Sequence, residues 1–305
     1  FNGARMNKAA LVNDTVVVTI SSENTPINDS PWYSFWIWSG EKKNVWIKLQ
    51  YTDGFYHRYN PKLSSDGLKW ERYELKYPNP KLKKEVNSKD AKKLDSYVFQ
   101  LAIDSDITWV SAQPLLTTDR MSRWTTDMSK HPQVKKYTLG NTPGKRPFDV
   151  LQIGNPEAKK VLVLLGRQHP PEVTGSMALH FFAEELLEDN AISNEFRKEF
   201  TVFMFPLINP DGVDMGHWRH NANGVDLNRD WGAFNQPETQ HIKRFFENLK
   251  KEKQSKIYAM LDFHSTWEDI FYLLPKKQKG NAPNLFQTVI EGMQTEIEDF
   301  NPNIS

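Results

Sequence analysis

Residues 161–172 read VLVLLGRQHPPE, Val161 through Glu172, and this stretch decides the fold. Its first six residues form a short continuous apolar run closed by Gly166, the pattern of a strand buried on both faces. His169 and Glu172 lie just past the end of that strand. After them Ala178, Phe181, Phe182, Leu186 and Leu187 recur at helical spacing, which predicts an amphipathic helix. Strand, polar loop and helix in this order make the building unit of an α/β sheet, where functional groups gather at the carboxyl ends of strands.

The same construction recurs twice. Residues 200–206 (FTVFMFP) read as a second apolar strand leading into the turn sequence Asn209-Pro210-Asp211-Gly212. Residues 257–263 (IYAMLDF) read as a third strand, which delivers His264 at its end. Between them Ile242, Phe245, Phe246 and Leu249 mark a helix, with Asn235 as candidate cap and Pro237 in the first turn. The expected architecture is α/β, a mixed and mainly parallel sheet flanked by helices.

The first hundred or so residues read differently. Residues 15–20 (TVVVTI), 33–38, 45–51 and 97–103 are β-branched or aromatic runs separated by Asn, Asp, Gly and Pro clusters. Short strands at such intervals predict an all-β sandwich ahead of the α/β domain, with the boundary drawn at 112/113. Trp32, Trp36, Trp38 and Trp46 could mark a sugar- or peptide-binding face, but alternate residues of a strand must fill a core, which is the preferred reading. The Lys-rich stretch 81–93 reads as an exposed, solvated loop.

His169, Glu172 and the distant His264 together offer two imidazoles and a carboxylate, a ligand set for catalytic zinc. Three protein ligands leave a position where the metal can reach both water and a carbonyl, so the implied chemistry is metal-assisted hydrolysis. H-x-x-E alone is a common pattern; its place after a buried strand is what gives it weight.

Composition narrows the alternatives. A formal net charge of +1 gives no basic bias toward nucleic acid or acidic membranes. No apolar stretch approaches the roughly 20 residues of a membrane span. Zero cysteines exclude disulfides and thiolate ligands and leave the redox compartment open. The chain starts at Phe1, as after removal of a leader or tag, which slightly favours a secreted or periplasmic protein over a cytoplasmic one. Oligomeric state is not legible.

The segments HPPE, NPDGV, HWRHNANGVDLNRDW and DFHS, in this order, resemble the zinc metallocarboxypeptidase family, over roughly Leu115 to the chain end. The earlier segments PINDSPWYSFWIW and HRYNPKLSSDGLKW resemble the β-rich domain that precedes the catalytic domain in the cytosolic carboxypeptidase subfamily. The resemblance implies residues 1–112 as a β-sandwich and 113–305 as a carboxypeptidase-like catalytic domain holding one Zn²⁺. It implies His169, Glu172 and His264 as the zinc ligands and Asp226 as the carboxylate that receives a hydrogen bond from a ligating histidine. Arg219 matches the arginine that steadies the scissile carbonyl oxygen as it becomes an oxyanion, a task suited to an always-charged fork of donors. Asn228 and Arg229 match the pair that grips a free terminal carboxylate, which makes hydrolysis exopeptidic. The pattern places neither His217 nor His220 on the metal, and Asp262 or Glu268 could support His264 from behind.

In the family the general base is a glutamate on a late strand, preceded by a tyrosine on a mobile loop; neither can be assigned before Ser305. Glu291, Glu296 and Glu298 fall in a helical stretch, 285–300, on its watery side, and are rejected for that role. Two explanations compete, a fragment of a longer enzyme and a naturally short relative that has lost the base; the fragment is the preferred expectation, because Asn301-Pro302-Asn303-Ile304-Ser305 reads as no helix or strand that closes the domain. Pro171 stands where the pancreatic enzymes carry a substrate-binding arginine, in keeping with the cytosolic branch and its acidic-tail processing.

The expected function is thus a zinc-dependent metallocarboxypeptidase whose substrate is a peptide or protein C-terminus, with no nucleic-acid partner. Two rivals stand beside it: a zinc amidohydrolase acting on acylated amino acids or cell-wall peptides, and a non-catalytic zinc-binding relative. Activity on blocked C-termini would favour the first, and zinc binding without turnover the second.

Overall fold

In a computed structural model of the chain, residues 1–23, 30–52, 57–73, 96–253, 255–266, 268–274 and 284–305 are described. The Lys-rich stretch 81–93, expected as a loop, lies outside them. Two compact units result, Phe1–His264 and Ser265–Ser305.

The first unit opens with β1 (Lys8–Val12), β2 (Thr15–Ile20), β3 (Ser34–Ile37), β4 (Lys43–Tyr51), β5 (Lys62–Ser64), β6 (Glu71–Arg72), β7 (Ser96–Ile103) and β8 (Thr108–Ser111). They form two four-stranded sheets, ordered β1-β2-β4-β7 and β3-β8-β5-β6. Ile47, Leu49 and Tyr51 alternate along β4 with outward residues, and Ile47 lies opposite Phe99 of β7. These side chains meet Phe35 and Val110 of the other sheet in one shared core, so the strands make a sandwich. Each such large side chain, fully buried, contributes about 1.5–3 kcal/mol.

The same period of two corrects the reading of the tryptophans. Trp32 is buried, whereas Trp36, Trp38 and Trp46 are exposed. Phe35 and Ile47 take the inward positions of β3 and β4, so their neighbours Trp36 and Trp46 must face out.

Next come α1 (Thr118–Met128), β9 (Val134–Asn141), β10 (Pro147–Gly154), β11 (Lys160–Gly166), α2 (Val173–Glu185), α3 (Ala191–Glu199), β12 (Phe200–Phe205), α4 (Pro210–Asp214), a 3-10 turn Leu227–Arg229, α5 (Pro237–Lys253) and β13 (Lys256–Phe263). The five strands form a mixed sheet ordered β13-β11-β12-β10-β9. β11 runs parallel to both β12 and β13, and β10 antiparallel to β12 and β9. Every β11 residue after Lys160 is buried, as its unbroken apolar run requires. Leu162 and Leu164 point to one face, packing with Leu179 and Ala183 of α2. Val161, Val163 and Leu165 point to the other, where Phe203 and Ile242 of α5 join them. Helices thus cover both faces.

Register sets up the site. Gly166 lies beside Phe263 across the β11–β13 ladder. The chain segments carrying His169 and His264 therefore leave the sheet at the same edge.

Three local readings change. The buried face of α2 runs through Val173, Gly175, Ser176, Leu179 and Ala183; of the residues expected on it Phe182, Leu186 and Leu187 pack on the core, while Ala178 and Phe181 are exposed. The Asn-Pro-Asp-Gly turn is a short helix, capped by Asn209 accepting from Gly212 N–H at 2.9 Å. Before α5 it is Asp230, not Asn235, that accepts: its carboxylate takes the N–H groups of Asn235 and Gln236 and the Thr239 hydroxyl.

In the second unit β14 (Ile270–Phe271) pairs in parallel with β15 (Asn303–Ile304), and α6 spans Leu285–Glu296. The helix ends before residue 300, where Phe300 meets Phe271 edge to face.

Candidate metal centre

Past the end of β11, Gln168 is fully buried and holds the loop from both sides. Its amide Oε1 accepts from Trp231 Nε1 at 2.8 Å, and its carbonyl accepts from Asn209 Nδ2 at 3.1 Å. Arg167, also buried and at positive φ, donates from Nε to the Pro170 carbonyl at 2.7 Å. The turn that presents His169 and Glu172 is thereby fixed from inside the protein.

His169 Nδ1 lies 2.9 Å from Glu172 Oε1, and His264 Nδ1 lies 2.7 Å from Glu172 Oε2. One carboxylate thus faces two imidazoles through the same ring nitrogen of each. The far nitrogens are engaged elsewhere: His169 Nε2 with Asp226 Oδ1 at 3.0 Å, and His264 Nε2 with Asp262 Oδ2 at 3.1 Å. A carboxylate accepting from Nε2–H leaves Nδ1 as the nitrogen that can ligate once it gives up its own proton, which here is donated to Glu172.

These three side chains are placed to hold one metal ion. One ligand atom from each can be chosen so that all lie within 4.8 Å of one another, the only such cluster among the described residues. Two imidazoles and a carboxylate suit zinc. Side-chain exposure rises from 7 % at His169 through 19 % at Glu172 to 28 % at His264, so the group opens to solvent on one side. That is the character of a site with room for a further ligand rather than of a closed structural one.

Electrostatics describe the same convergence. Burial works to raise the Glu172 carboxyl, but its hydrogen bonds with His169 and His264 prevail and bring it down to about 2. Burial works to lower His264, and the bonds to Asp262 and Glu172 overcome it and raise the ring to about 10. His169 is raised in the same way, burial being outweighed by Asp226 and Glu172. Asp226, opposed by burial, is held below the ordinary carboxylate range by its bonds with His169 and Arg219. A ligating imidazole must offer a free lone pair, so metal binding here competes with protonation of the rings.

Arg219 reaches the group through Asp226: its Nε donates to Asp226 Oδ2 at 2.6 Å, while Oδ1 of the same carboxylate faces His169. Asp226 also accepts from Asn228 N–H at 3.0 Å, starting the 3-10 turn that carries Asn228 and Arg229. Asn228 Nδ2 lies 3.4 Å from His264 Nε2. Arg229 is oriented outward, its Nη1 donating to the Asn228 carbonyl at 3.2 Å on the exposed side. Six of the seven residues singled out from sequence are therefore linked by direct contacts, and Arg229 joins them through its neighbour.

His217 and His220 stand apart from the metal group. His217 Nδ1 faces the His220 carbonyl at 3.0 Å within their own loop, and His220 Nδ1 lies 3.4 Å from Glu23. Asp262 supports His264, whereas Glu268 accepts from Asn303 in the second unit. Gln168, Arg167 and Glu23 were not found from sequence. Gln168 and Arg167 lie beside a candidate ligand and could have been suspected on that ground; Glu23 carries no local signal.

A sequence profile of the family described as zinc carboxypeptidase matches residues 121–299. Cytosolic carboxypeptidase 6 of Mus musculus is 28% identical over 136 residues, covering 42% of this chain and 25% of that protein. Cytosolic carboxypeptidase 2 of Xenopus tropicalis is 26% identical over 223 residues, covering 67% of this chain and 22% of that protein. The matched segments thus span about a quarter of the length of these curated relatives. Among solved structures, a metallo-carboxypeptidase from Burkholderia cenocepacia superposes with a TM-score of 0.78 at 17% identity, over all of this chain and 81% of that one. One from Pseudomonas aeruginosa does so with a TM-score of 0.74 at 19% identity, again over all of this chain and 81% of that one. These two likenesses establish the fold.

Proposed function

The chain belongs to the zinc carboxypeptidase family, and from that premise we propose that it binds one zinc ion and hydrolyses peptides or protein tails at their free C-terminus. His169, Glu172 and His264 are the proposed ligands. The observation that carries this reading is the opposed pair of imidazoles, each offering Nδ1 toward Glu172 while a carboxylate engages its Nε2. When bound, zinc supplies Lewis acidity toward a carbonyl and toward water.

The chain's own residues supply the rest. Arg219, held at Nε by Asp226, keeps its terminal nitrogens for the oxygen on which negative charge develops. Asn228 and Arg229 take the terminal carboxylate of the substrate, for which Arg229 is suitably exposed. Asp226 serves both halves, orienting His169 with one oxygen and Arg219 with the other. No residue of this chain is assigned as general base. In this reading residues 1–112 form the N-terminal domain and 113–305 belong to the catalytic domain.

The test compares an N-acylated dipeptide with its C-terminal amide on the zinc-loaded protein, by calorimetry and by product analysis. The free acid should bind at least about tenfold tighter, as expected when one charge-assisted contact is lost, and any cleavage should release only the terminal residue. Equal affinity for the two, or internal cleavage, would overturn the assignment.

A further inference from the structure

The loop that carries Arg219 is built onto the N-terminal sandwich. Glu23 follows shortly after β2, and its side chain is fully buried. Its Oε1 accepts from the backbone N–H groups of both Trp218 and Arg219, at 2.9 Å each. The Trp218 ring packs on the sandwich core, 5.8 Å from the Tyr59 ring, with the Arg58 guanidinium 5.1 Å over its face. Just upstream, Gly216 has φ +63 and passes so close to Ala4 that a Cβ there would lie 2.4 Å from the Ala4 carbonyl oxygen. Gly3 N–H donates to Asp214 O at 2.8 Å. From Arg219 the bonds continue through Asp226 to His169.

We infer that Glu23 is a positioning residue for Arg219, and that the N-terminal sandwich is part of the scaffold of the reaction site. Two successive N–H groups on one carboxylate oxygen fix the peptide planes on either side of Trp218, the second of which carries the Arg219 nitrogen. That plane in turn sets the root of the Arg219 side chain, a long and rotamer-rich arm whose aim depends on where it starts. A misplacement of about 1 Å at a reacting centre costs on the order of a hundredfold in rate. Arg5, bonded through Nε and Nη2 to the Ser21 carbonyl at 3.2 and 2.8 Å, adds positive charge near Glu23.

This inference rests on the role proposed above for Arg219, so its test reads the two separately. Glu23→Ala, Arg219→Ala and the double variant of the full chain are loaded with zinc. Each is measured for amide hydrogen exchange at residues 218 and 219 and for affinity to a dipeptide phosphonate, a tetrahedral oxyanion mimic. Glu23→Ala should speed exchange at both amides and weaken the phosphonate about tenfold, the lower range for residues that orient a site from behind, with zinc content unchanged. The double variant should bind no more weakly than Arg219→Ala alone, since Glu23 acts through Arg219. Glu23→Gln, which keeps an acceptor oxygen, should restore most of the affinity.

If Glu23→Ala does not fold, Glu23→Asp, one methylene shorter, carries the same expectations. Additive losses, unchanged exchange, or loss of zinc in step with affinity would overturn the inference. If Arg219→Ala leaves phosphonate affinity unchanged, the proposed role of Arg219 fails and the inference falls with it, even where exchange still reports the bond to Glu23.

Discussion

Gly175→Ala sets two effects against each other, and the geometry says which wins. Gly175 lies in the first turn of α2, where the helix passes the segment that carries His264. A Cβ there would sit 2.4 Å from the His264 carbonyl oxygen and 2.8 Å from its carbonyl carbon. That is about 1 Å short of van der Waals contact, and the obstacle is backbone that cannot rotate away. Alanine gains about 1 kcal/mol of helix propensity over glycine. Overpacking costs about 1–3 kcal/mol. The net loss is about 1 kcal/mol, a fall of about 2–4 °C in Tm for a unit of this size. Zinc binding should suffer more. Metal–ligand distances tolerate about 0.2 Å, and the displaced residue is itself a proposed ligand, so affinity should fall on the order of 10- to 100-fold. The assay is chelator competition for zinc alongside thermal unfolding of the metal-free chain. A higher Tm with unchanged zinc affinity would show that propensity governs and that the approach of α2 to His264 is looser than described.

Three further outcomes are expected. Asp226→Asn removes the charge shared by His169 and Arg219 and must turn an N–H donor toward one of them; zinc affinity should drop about 10- to 100-fold, and an unchanged affinity would discount Asp226. Burial raises the Glu238 carboxyl from 4.5 to about 7, aided by Asp211 and Asp230 and opposed by the bond from Asn221. A folded pKa above the unfolded one means proton uptake on folding, so this stability is full below about pH 4.5 and is lost as pH rises through 7, about 3 kcal/mol in all. Glu238→Gln should flatten that slope and be the more stable protein at pH 8; an identical slope in both proteins would refute the assignment. Zinc at a hundredfold over its Kd should add about 2.7 kcal/mol and raise Tm by several degrees, an increase that EDTA abolishes; no shift would mean that the native state has no selective site.

What could be read from sequence follows from how local each signal is. β11 was visible because a strand buried on both faces needs an unbroken apolar run, and its length and terminal glycine exclude a helix. The ligand group was visible because register carries residues far apart in sequence to one sheet edge, and the apolar runs before His169 and His264 both end there. On α2 the apolar pattern is legible in part: Phe182, Leu186 and Leu187 pack on the core, but Phe181, beside Met177, lies on the outer side, because apolar residues occur on both faces of this helix. Trp36 and Trp46 were read as core because aromatic content was weighed before the phase of the alternation. Asp230 displaced Asn235 before α5 because a carboxylate can accept from several donors of the turn at once. Glu23 was beyond reach: it contacts residues nearly 200 positions away, and nothing in its neighbourhood marks the partner.

Diffraction at the zinc edge from crystals of the zinc-loaded chain would locate the ion directly. A single anomalous peak is expected about 2.0–2.2 Å from Nδ1 of His169, Nδ1 of His264 and a carboxylate oxygen of Glu172. Asp226 and Asp262 should remain on the two Nε2 atoms. A peak bound through either Nε2, or one away from these three side chains, would contradict the proposed metal centre and the hydrolytic function that depends on it.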